Sequence, residues 1–105
     1  MDSRLDPLRD LGLARGDAMV LRNAGASVTD DVERSLRLVY DGLGVREAWL
    51  VAHSDCVAQG GSDSAAEEEL RRGAARLRSA LPDLSVRLLF YDFAAGATRA
   101  VEPQG

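Results

Sequence analysis

His53 and Cys56 are the single histidine and the single cysteine of the chain, and they stand three positions apart in the stretch AHSDCV. Imidazole nitrogen and thiolate sulfur are ligands that zinc prefers in tetrahedral sites. A catalytic zinc needs three protein ligands and one open position, so a third donor has to come from elsewhere. With no other histidine or cysteine in the chain, the remaining candidates are carboxylates.

Two other interpretations of this pair stay open at the level of spacing. In one, His53 closes the end of a strand and Cys56 is a small buried residue, because a lone His-x-x-Cys motif is weak evidence for a metal. In the other, the two residues form a thiol–imidazole nucleophilic pair. Residues three apart in a loop rarely place the imidazole on the thiol, which makes the nucleophilic pair the weaker alternative.

The strand and helices that position the pair follow from the apolar pattern. The run EAWLVAH, residues 47–53, predicts a strand covered on both faces, with Trp49 in the core. Before it, Thr29 is predicted to cap a helix that ends at Gly42–Gly44. After it, Ser64 is predicted to cap a second helix with Glu67 as its capping-box partner. The apolar stripe of the first helix is Val32, Leu36, Val39, Tyr40 and Leu43, and that of the second is Ala66, Leu70, Ala74, Leu77 and Leu81.

Further strands are predicted at both ends of the chain. Residues 18–21 form a short apolar strand candidate, and SVRLLFYDF is a strong one. The segment AAGAT then predicts a tight turn into a final strand TRAV, followed by a frayed tail EPQG. This order predicts one α/β domain over residues 1–105, a mostly parallel sheet flanked by helices with an antiparallel C-terminal edge hairpin. Ligand sites in such sheets lie beyond the carboxyl ends of the strands, where His53 and Cys56 fall.

Composition excludes several functions. The net charge of −4 offers no basic surface for nucleic acid. No run approaches the roughly 20 apolar residues of a membrane span, and the charged start MDSRLDPLRD is not a secretory signal. A single cysteine rules out an internal disulfide and indicates a reducing, cytoplasmic compartment.

Four segments taken together resemble the β-class carbonic anhydrases, and most of all their short bacterial and archaeal type. The segments are MDSRLDP, GDAMVLRNAGASVTDDVERSL, VAHSDC and YDFAAGATRAV. They occur in the order and register of that family's Cys-x-Asp-x-Arg, Arg-Asn-Ala-Gly, Thr-Asp-Asp and His-x-x-Cys motifs, and of its closing Tyr-Asp turn and strand. The resemblance implies a zinc enzyme that hydrates CO2 reversibly through zinc-bound hydroxide.

The resemblance also implies a role for particular residues. His53 and Cys56 become zinc ligands. Asp2 and Arg4 become a dyad in which the arginine controls whether the aspartate binds the metal or leaves it free for water. The loop that helps to shape the substrate pocket becomes Arg22, Asn23, Ala24 and Gly25.

The chain departs from the family pattern in three places. The leading cysteine of the family would fall one position before Met1, and the apolar strand that runs into it is absent too, so we expect either a start upstream of Met1 or a truncated homologue. In a truncated homologue Asp2 would serve as the third zinc ligand. Val57 replaces the usual glycine after Cys56, and the segment that follows is shorter than usual.

Three hypotheses about function follow from the resemblance. The first is a zinc-dependent carbonic anhydrase. The second is a non-catalytic homologue that acts as a binding or structural subunit, and the third is a hydratase or hydrolase of COS or CS2. Because a sheet that lacks a central strand exposes unpaired edges, we expect a homodimer or higher oligomer, or a pairing with a full-length relative.

Overall fold

The structure is a computed structural model that describes residues 1–103. Its helices are α1 (Pro7–Asp10), α2 (Asp30–Leu43) and α3 (Asp63–Ala80), and its strands are β1 (Glu47–His53), β2 (Ser85–Asp92) and β3 (Ala97–Ala100). Short 3-10 turns lie at Ala24–Ala26 and Val57–Gln59. The predicted α/β class is confirmed. The predicted frayed tail, residues 102–105, lies partly outside the described residues.

The described strands form one sheet in the order β1-β2-β3. β1 and β2 are parallel, with Glu47 opposite Ser85 and His53 opposite Tyr91. β3 returns antiparallel to β2 after a turn in which the Gly96 N–H donates to the Asp92 carbonyl at 2.8 Å. The predicted parallel sheet with an antiparallel C-terminal edge is therefore present. Within residues 1–103 β1 pairs with β2 alone, so its other edge is open.

Helix α3 covers one face of this sheet. Its predicted stripe is buried, and Leu70 packs with Phe90 of β2 in a cluster that both strands share. Gly73 leaves no room for a side chain, because a Cβ built there would come within 2.7 Å of Val28 Cγ2 and 3.2 Å of Leu50 Cδ1. The absence of a side chain at Gly73 lets α3 pack against Val28 and β1 at this distance.

The N-terminus of α2 is tied to α3. The Thr29 side chain caps α2 as predicted, accepting from the Val32 N–H at 3.3 Å. Arg76 of α3 reaches across to Glu33, with Nε 2.8 Å from its carboxylate, and donates to the Val28 carbonyl at 3.0 Å. No residue of α2 is fully buried, because nothing within residues 1–103 covers the outer part of its apolar stripe.

The predicted strand at residues 18–21 is wrong. This segment has no strand structure, and its apolar side chains are exposed, with Met19 at 62% and Leu21 at 54% of full accessibility. The physical reason is the lack of a pairing partner: within residues 1–103 this segment joins no sheet, although it lines the same groove as β1. A strand exists only as part of a hydrogen-bonded sheet.

Two smaller predictions also need correction. Helix α3 begins two residues earlier than expected, because Ser62 and not Ser64 accepts the capping hydrogen bond, from the Ala65 N–H at 3.1 Å. Glu67 therefore does not close a capping box and instead pairs with Arg99 at 2.5 Å. Trp49 is half-buried at the groove and is not a core residue. Among residues 1–103, no helix combines the length and apolarity that a bilayer crossing requires.

Candidate metal centre at the carboxyl end of β1

The loop after β1 is held against the end of β2. The parallel ladder continues past His53, because the Ser54 N–H donates to the Tyr91 carbonyl at 2.9 Å. The Ser54 hydroxyl in turn accepts from the Phe93 N–H at 2.9 Å. These hydrogen bonds connect the segment that follows β1 with the segment at the end of β2, directly beside His53.

His53 is buried, with 9% of its surface exposed, and its ring is oriented by the adjacent residue. Its Nδ1 lies 2.8 Å from the Ser54 carbonyl oxygen. Because a carbonyl only accepts, Nδ1 carries the proton in the neutral ring, and Nε2 keeps a free lone pair. Nε2 lies 4.0 Å from Asp2 Oδ2. Hydrogen bonding of one ring nitrogen to a carbonyl is the arrangement that prepares the other nitrogen as a metal ligand.

Asp2 and Arg4 form the ion pair that the resemblance implies. Arg4 NH2 lies 2.7 Å from Asp2 Oδ2, and Arg4 Nε lies 3.0 Å from Oδ1, so the contact is bidentate. The Arg4 backbone N–H adds a third donor at 2.9 Å from Oδ1. Hydrogen bonding from the Arg4 side chain, with help from its backbone, holds the pKa of Asp2 well below its ordinary range. The side-chain hydrogen bond to Asp2, with a further one to Asp55, raises the pKa of Arg4.

Cys56 is a free, buried thiol that begins the next turn. Its carbonyl accepts from the Gln59 N–H at 3.0 Å and from the Gly61 N–H at 2.9 Å, which fixes the backbone around it. Val57 is 93% exposed, so its branched side chain lies in solvent and not in the groove. The side chain that replaces the family's usual glycine at this position therefore does not narrow the groove.

The predicted pocket loop contacts both the N-terminal segment that carries Asp2 and the turn that follows Cys56. Arg22 donates to the backbone carbonyls of Asp2 at 2.5 Å and of Leu5 at 3.0 Å, which ties the N-terminal segment to the loop. Asn23 closes the loop on itself, because its side chain exchanges hydrogen bonds with the Ser27 backbone at 2.7 and 3.2 Å.

Glycine is required at the centre of this loop. Gly25 has a φ of +78°, and a Cβ there would lie 2.8 Å from Gln59 Nε2 and 3.2 Å from the Ala58 Cβ. The Gly25 carbonyl also accepts from Gln59 at 3.4 Å. The pocket loop is thus seated directly on the turn that follows Cys56, while Ala24 is exposed on its outer side.

An apolar groove of about 660 Å³ is lined by all of β1 together with parts of the N-terminal segment. Of the predicted site residues, Arg22, Asn23, Gly25, His53 and Cys56 line it. Asp2, Arg4 and Ala24 are outside its lining. The structure therefore brings the His-x-x-Cys motif and the pocket loop to one groove, with the Asp2–Arg4 pair beside it.

The donor types at this place fit zinc, and the number of gathered donors is smaller than zinc requires. A neutral imidazole nitrogen, a thiol and a carboxylate are three of its ordinary ligands. Within residues 1–103, however, no group of three or more His, Cys, Asp and Glu side chains is arranged to hold a metal ion. Asp2 Oδ2 lies 4.0 Å from His53 Nε2, and the Asp2 carboxylate is paired with Arg4. The carboxylate is therefore near the imidazole, but the two side chains do not converge on one metal position.

The fold and this site define the chain as an α/β domain with zinc-type donors at the carboxyl end of a parallel strand. Comparison with known proteins then identifies the family. The family model described as carbonic anhydrase matches residues 1–92. This chain belongs to the β-carbonic anhydrase family.

Particular relatives show how far the similarity extends. β-Carbonic anhydrase 1 of Mycobacterium tuberculosis is 55% identical over 56 residues, which are 53% of this chain and 34% of that protein. A carbon disulfide hydrolase of Acidianus sp. (strain A1-3) is 43% identical over 56 residues, which are 53% of this chain and 28% of that protein. The match therefore spans about a third of the length of these curated relatives.

The fold is shared over a longer stretch than the sequence matches cover. The crystal structure of a carbonic anhydrase from Streptococcus mutans superposes with a TM-score of 0.86 at 35% identity. The superposition covers 97% of this chain and 77% of that one.

Sequence reasoning missed three residues that shape the site. Ser54 orients the His53 ring and anchors Phe93, and Asp55 and Phe93 both contact Arg4. Asp55 could have been suspected from its place inside the His-x-x-Cys motif. Phe93 could not have been found without the register that places Tyr91 opposite His53.

Proposed function

We propose that this chain is a zinc-dependent protein of the carbonic anhydrase type that hydrates CO2 to bicarbonate. The observation that carries the proposal is the His53 ring, whose Nδ1 is bound by the Ser54 carbonyl and whose Nε2 points toward Asp2. A buried histidine needs no such neighbour for packing alone. The family membership supports the same reaction.

Each residue has a stated part in this proposal. His53 and Cys56 would hold the zinc, and Asp2 is the third donor that we propose. Zinc bound in such a site would supply a water whose pKa is lowered to about 7 and hence a hydroxide at neutral pH. Arg4 holds the Asp2 carboxylate through two side-chain contacts and so decides whether that carboxylate is available to the metal.

The groove suits a small apolar substrate. CO2 has no hydrogen-bond donor and no net charge, so a mainly apolar lining such as Trp49, Val51 and Ala52 admits it without requiring a specific polar partner. Arg22, Asn23, Ala24 and Gly25 form the loop proposed to shape this pocket. COS and CS2 have the same linear, apolar character, and the similarity to a carbon disulfide hydrolase makes them the alternative substrates.

Metal analysis together with stopped-flow kinetics tests the proposal. We expect mass spectrometry of the purified chain to find about one zinc per active site and CO2 hydration to exceed the buffer rate. Hydrolysis of COS and CS2 is measured in the same preparation to separate the substrates. A chain without zinc and without hydration after incubation with zinc would contradict the enzymatic proposal.

A second candidate function is that of a non-catalytic subunit, and the open edge of β1 favours it. An unpaired strand edge beside an apolar groove invites pairing with another chain. The occupant that we propose is a second copy of this chain, because the same groove is lined by an exposed apolar strip of Met19, Val20 and Leu21. A homodimer or higher oligomer would cover both features.

Light scattering during size exclusion tests the oligomer. We expect a mass of at least twice 11.3 kDa, decreasing on dilution. Leu21→Glu at the groove should dissociate the assembly, because the glutamate would place a buried charge in an apolar interface. Leu38→Glu, on the outer face of α2, is the matched control and should leave the mass unchanged. A monomer at every concentration would contradict the proposed interface.

The compartment that we propose is the cytoplasm. A thiolate ligand has to stay reduced, and the reducing cytoplasm keeps a lone cysteine such as Cys56 in that state.

A further inference from the structure

The Arg4 guanidinium contacts two residues besides Asp2. Its NH1 lies 3.2 Å from Asp55 Oδ2, and its NH2 lies 3.2 Å from the Asp55 carbonyl oxygen. Its central carbon lies 4.4 Å from the centroid of the Phe93 ring. Each guanidinium nitrogen thus has an acceptor, and an aromatic ring lies against the group.

Asp55 reaches Arg4 because of its backbone conformation. Its φ is +53°, in the left-handed region that residues with a side chain other than Asn and Asp rarely adopt. In this conformation both the carbonyl and the carboxylate of the same residue lie against one guanidinium. A left-handed residue persists where its surroundings hold it, which in this loop means the contacts with Arg4.

Phe93 joins Arg4 to the metal-binding motif. Its backbone N–H is bound by the Ser54 hydroxyl at 2.9 Å. Its ring lies 5.4 Å from the His53 ring and 5.3 Å edge-to-face from the Tyr91 ring. The same aromatic side chain therefore contacts the cation on one side and the proposed ligand on the other.

We propose that Asp55 and Phe93 are positioning residues that hold the Arg4 guanidinium in the orientation in which it pairs with Asp2. The Asp55 carboxylate is 77% exposed, and an exposed ion pair contributes little by itself. The two contacts act together, one fixing the edge of the guanidinium and the other its plane. One part of the inference rests on the proposed function: the consequence that the geometry of the Asp2–Arg4 pair governs the reaction.

The first test uses the zinc-free chain and needs no activity. The variants are Asp55→Asn, which keeps a residue that tolerates a positive φ, Phe93→Leu, which keeps apolar bulk, and their combination. NMR measures the exchange of the Arg4 Nε–H with water, with the resonance assigned through Arg4→Lys. We expect exchange about tenfold faster in the double variant, since two contacts of this type together contribute about that factor.

The matched control is Asp31→Asn. Asp31 is 78% exposed and pairs with Arg34 at 3.1 Å, so the same kind of surface ion pair is removed far from the site. We expect the Arg4 Nε–H of this variant to exchange at the wild-type rate. Unchanged exchange in a folded double variant would overturn the proposal, and folding is checked by the remaining amide spectrum.

The second test separates the positioning role from the proposed function. In a wild-type chain that hydrates CO2, we expect kcat/KM of the double variant to fall about tenfold at unchanged zinc content, because Asp2 is no longer held in one place. A fall no larger than that of Asp31→Asn would overturn the role in the reaction. If the wild-type chain is inactive, the proposed function fails, and the exchange rates still decide whether Asp55 and Phe93 hold Arg4.

Discussion

Replacing His53 by alanine is expected to abolish zinc binding and CO2 hydration together. His53 supplies the one imidazole of the chain, and no other histidine can take its place. Loss of a residue that merely orients a ligand already costs about 10- to 100-fold in metal affinity or activity, so loss of the ligand itself should cost at least about 100-fold. The measurements are zinc stoichiometry by mass spectrometry and kcat/KM by stopped flow.

Two companion variants make the His53 result interpretable. Cys56→Ser, which replaces a thiolate by a weak hydroxyl ligand, should reproduce the loss if the two residues share one ion. Val57→Ala, in the same loop but with a side chain in solvent, should retain both zinc and activity. Because His53 is buried, its replacement could disturb folding, so circular dichroism is used to check that the alanine variant is folded. Zinc retained at full stoichiometry in folded His53→Ala would show that the ligand assignment is wrong.

The second prediction concerns the contact between α3 and the sheet. Gly73→Ala is expected to lower the free energy of unfolding by about 1–3 kcal/mol, the usual cost of inserting a methyl group into a packed core. The new Cβ would come within 2.7 Å of Val28, which is buried and branched at its own Cβ and therefore cannot rotate away. This cost should exceed the gain of about 1 kcal/mol that alanine brings to a helix interior.

Gly42→Ala is the matched control for Gly73→Ala. Gly42 lies in α2, and a Cβ built there meets no atom within 4 Å. Only the helix propensity changes, so this variant should be more stable than the parent by up to about 1 kcal/mol. Urea unfolding followed by circular dichroism measures both changes. Equal or greater stability of Gly73→Ala would mean that Val28 moves aside at no cost.

The short-range sequence pattern was sufficient to predict those elements that depend only on their own residues. The alternating burial of α3 follows from the spacing of Leu70, Ala74 and Leu77, which a helix places on one face whatever it packs against. The β2–β3 hairpin was predictable for a similar reason, since the turn at Gly96 and both strands are close in sequence. Strand β1 was evident from its continuous apolar run.

Local pattern failed where an element needs a partner. Residues 18–21 have a strand-like composition, but within residues 1–103 no strand pairs with them, and they line the groove without secondary structure. The cap of α3 was misplaced because Ser62 and Ser64 are equally good caps by residue type. Only the path of the chain out of the Cys56 turn decides between them.

The sequence by itself determined helices α2 and α3, strands β1 to β3, and the identity of the zinc-type donors His53 and Cys56, because these depend on residue type and short-range spacing. Only the tertiary structure decided which distant groups meet at the site. The parallel register of β1 and β2 brings Phe93 to His53, and the packing of the N-terminal segment on the loop brings Arg4 to Asp55. Contacts between residues 39 and 51 positions apart depend on how whole elements pack, and short-range spacing in the sequence does not predict them.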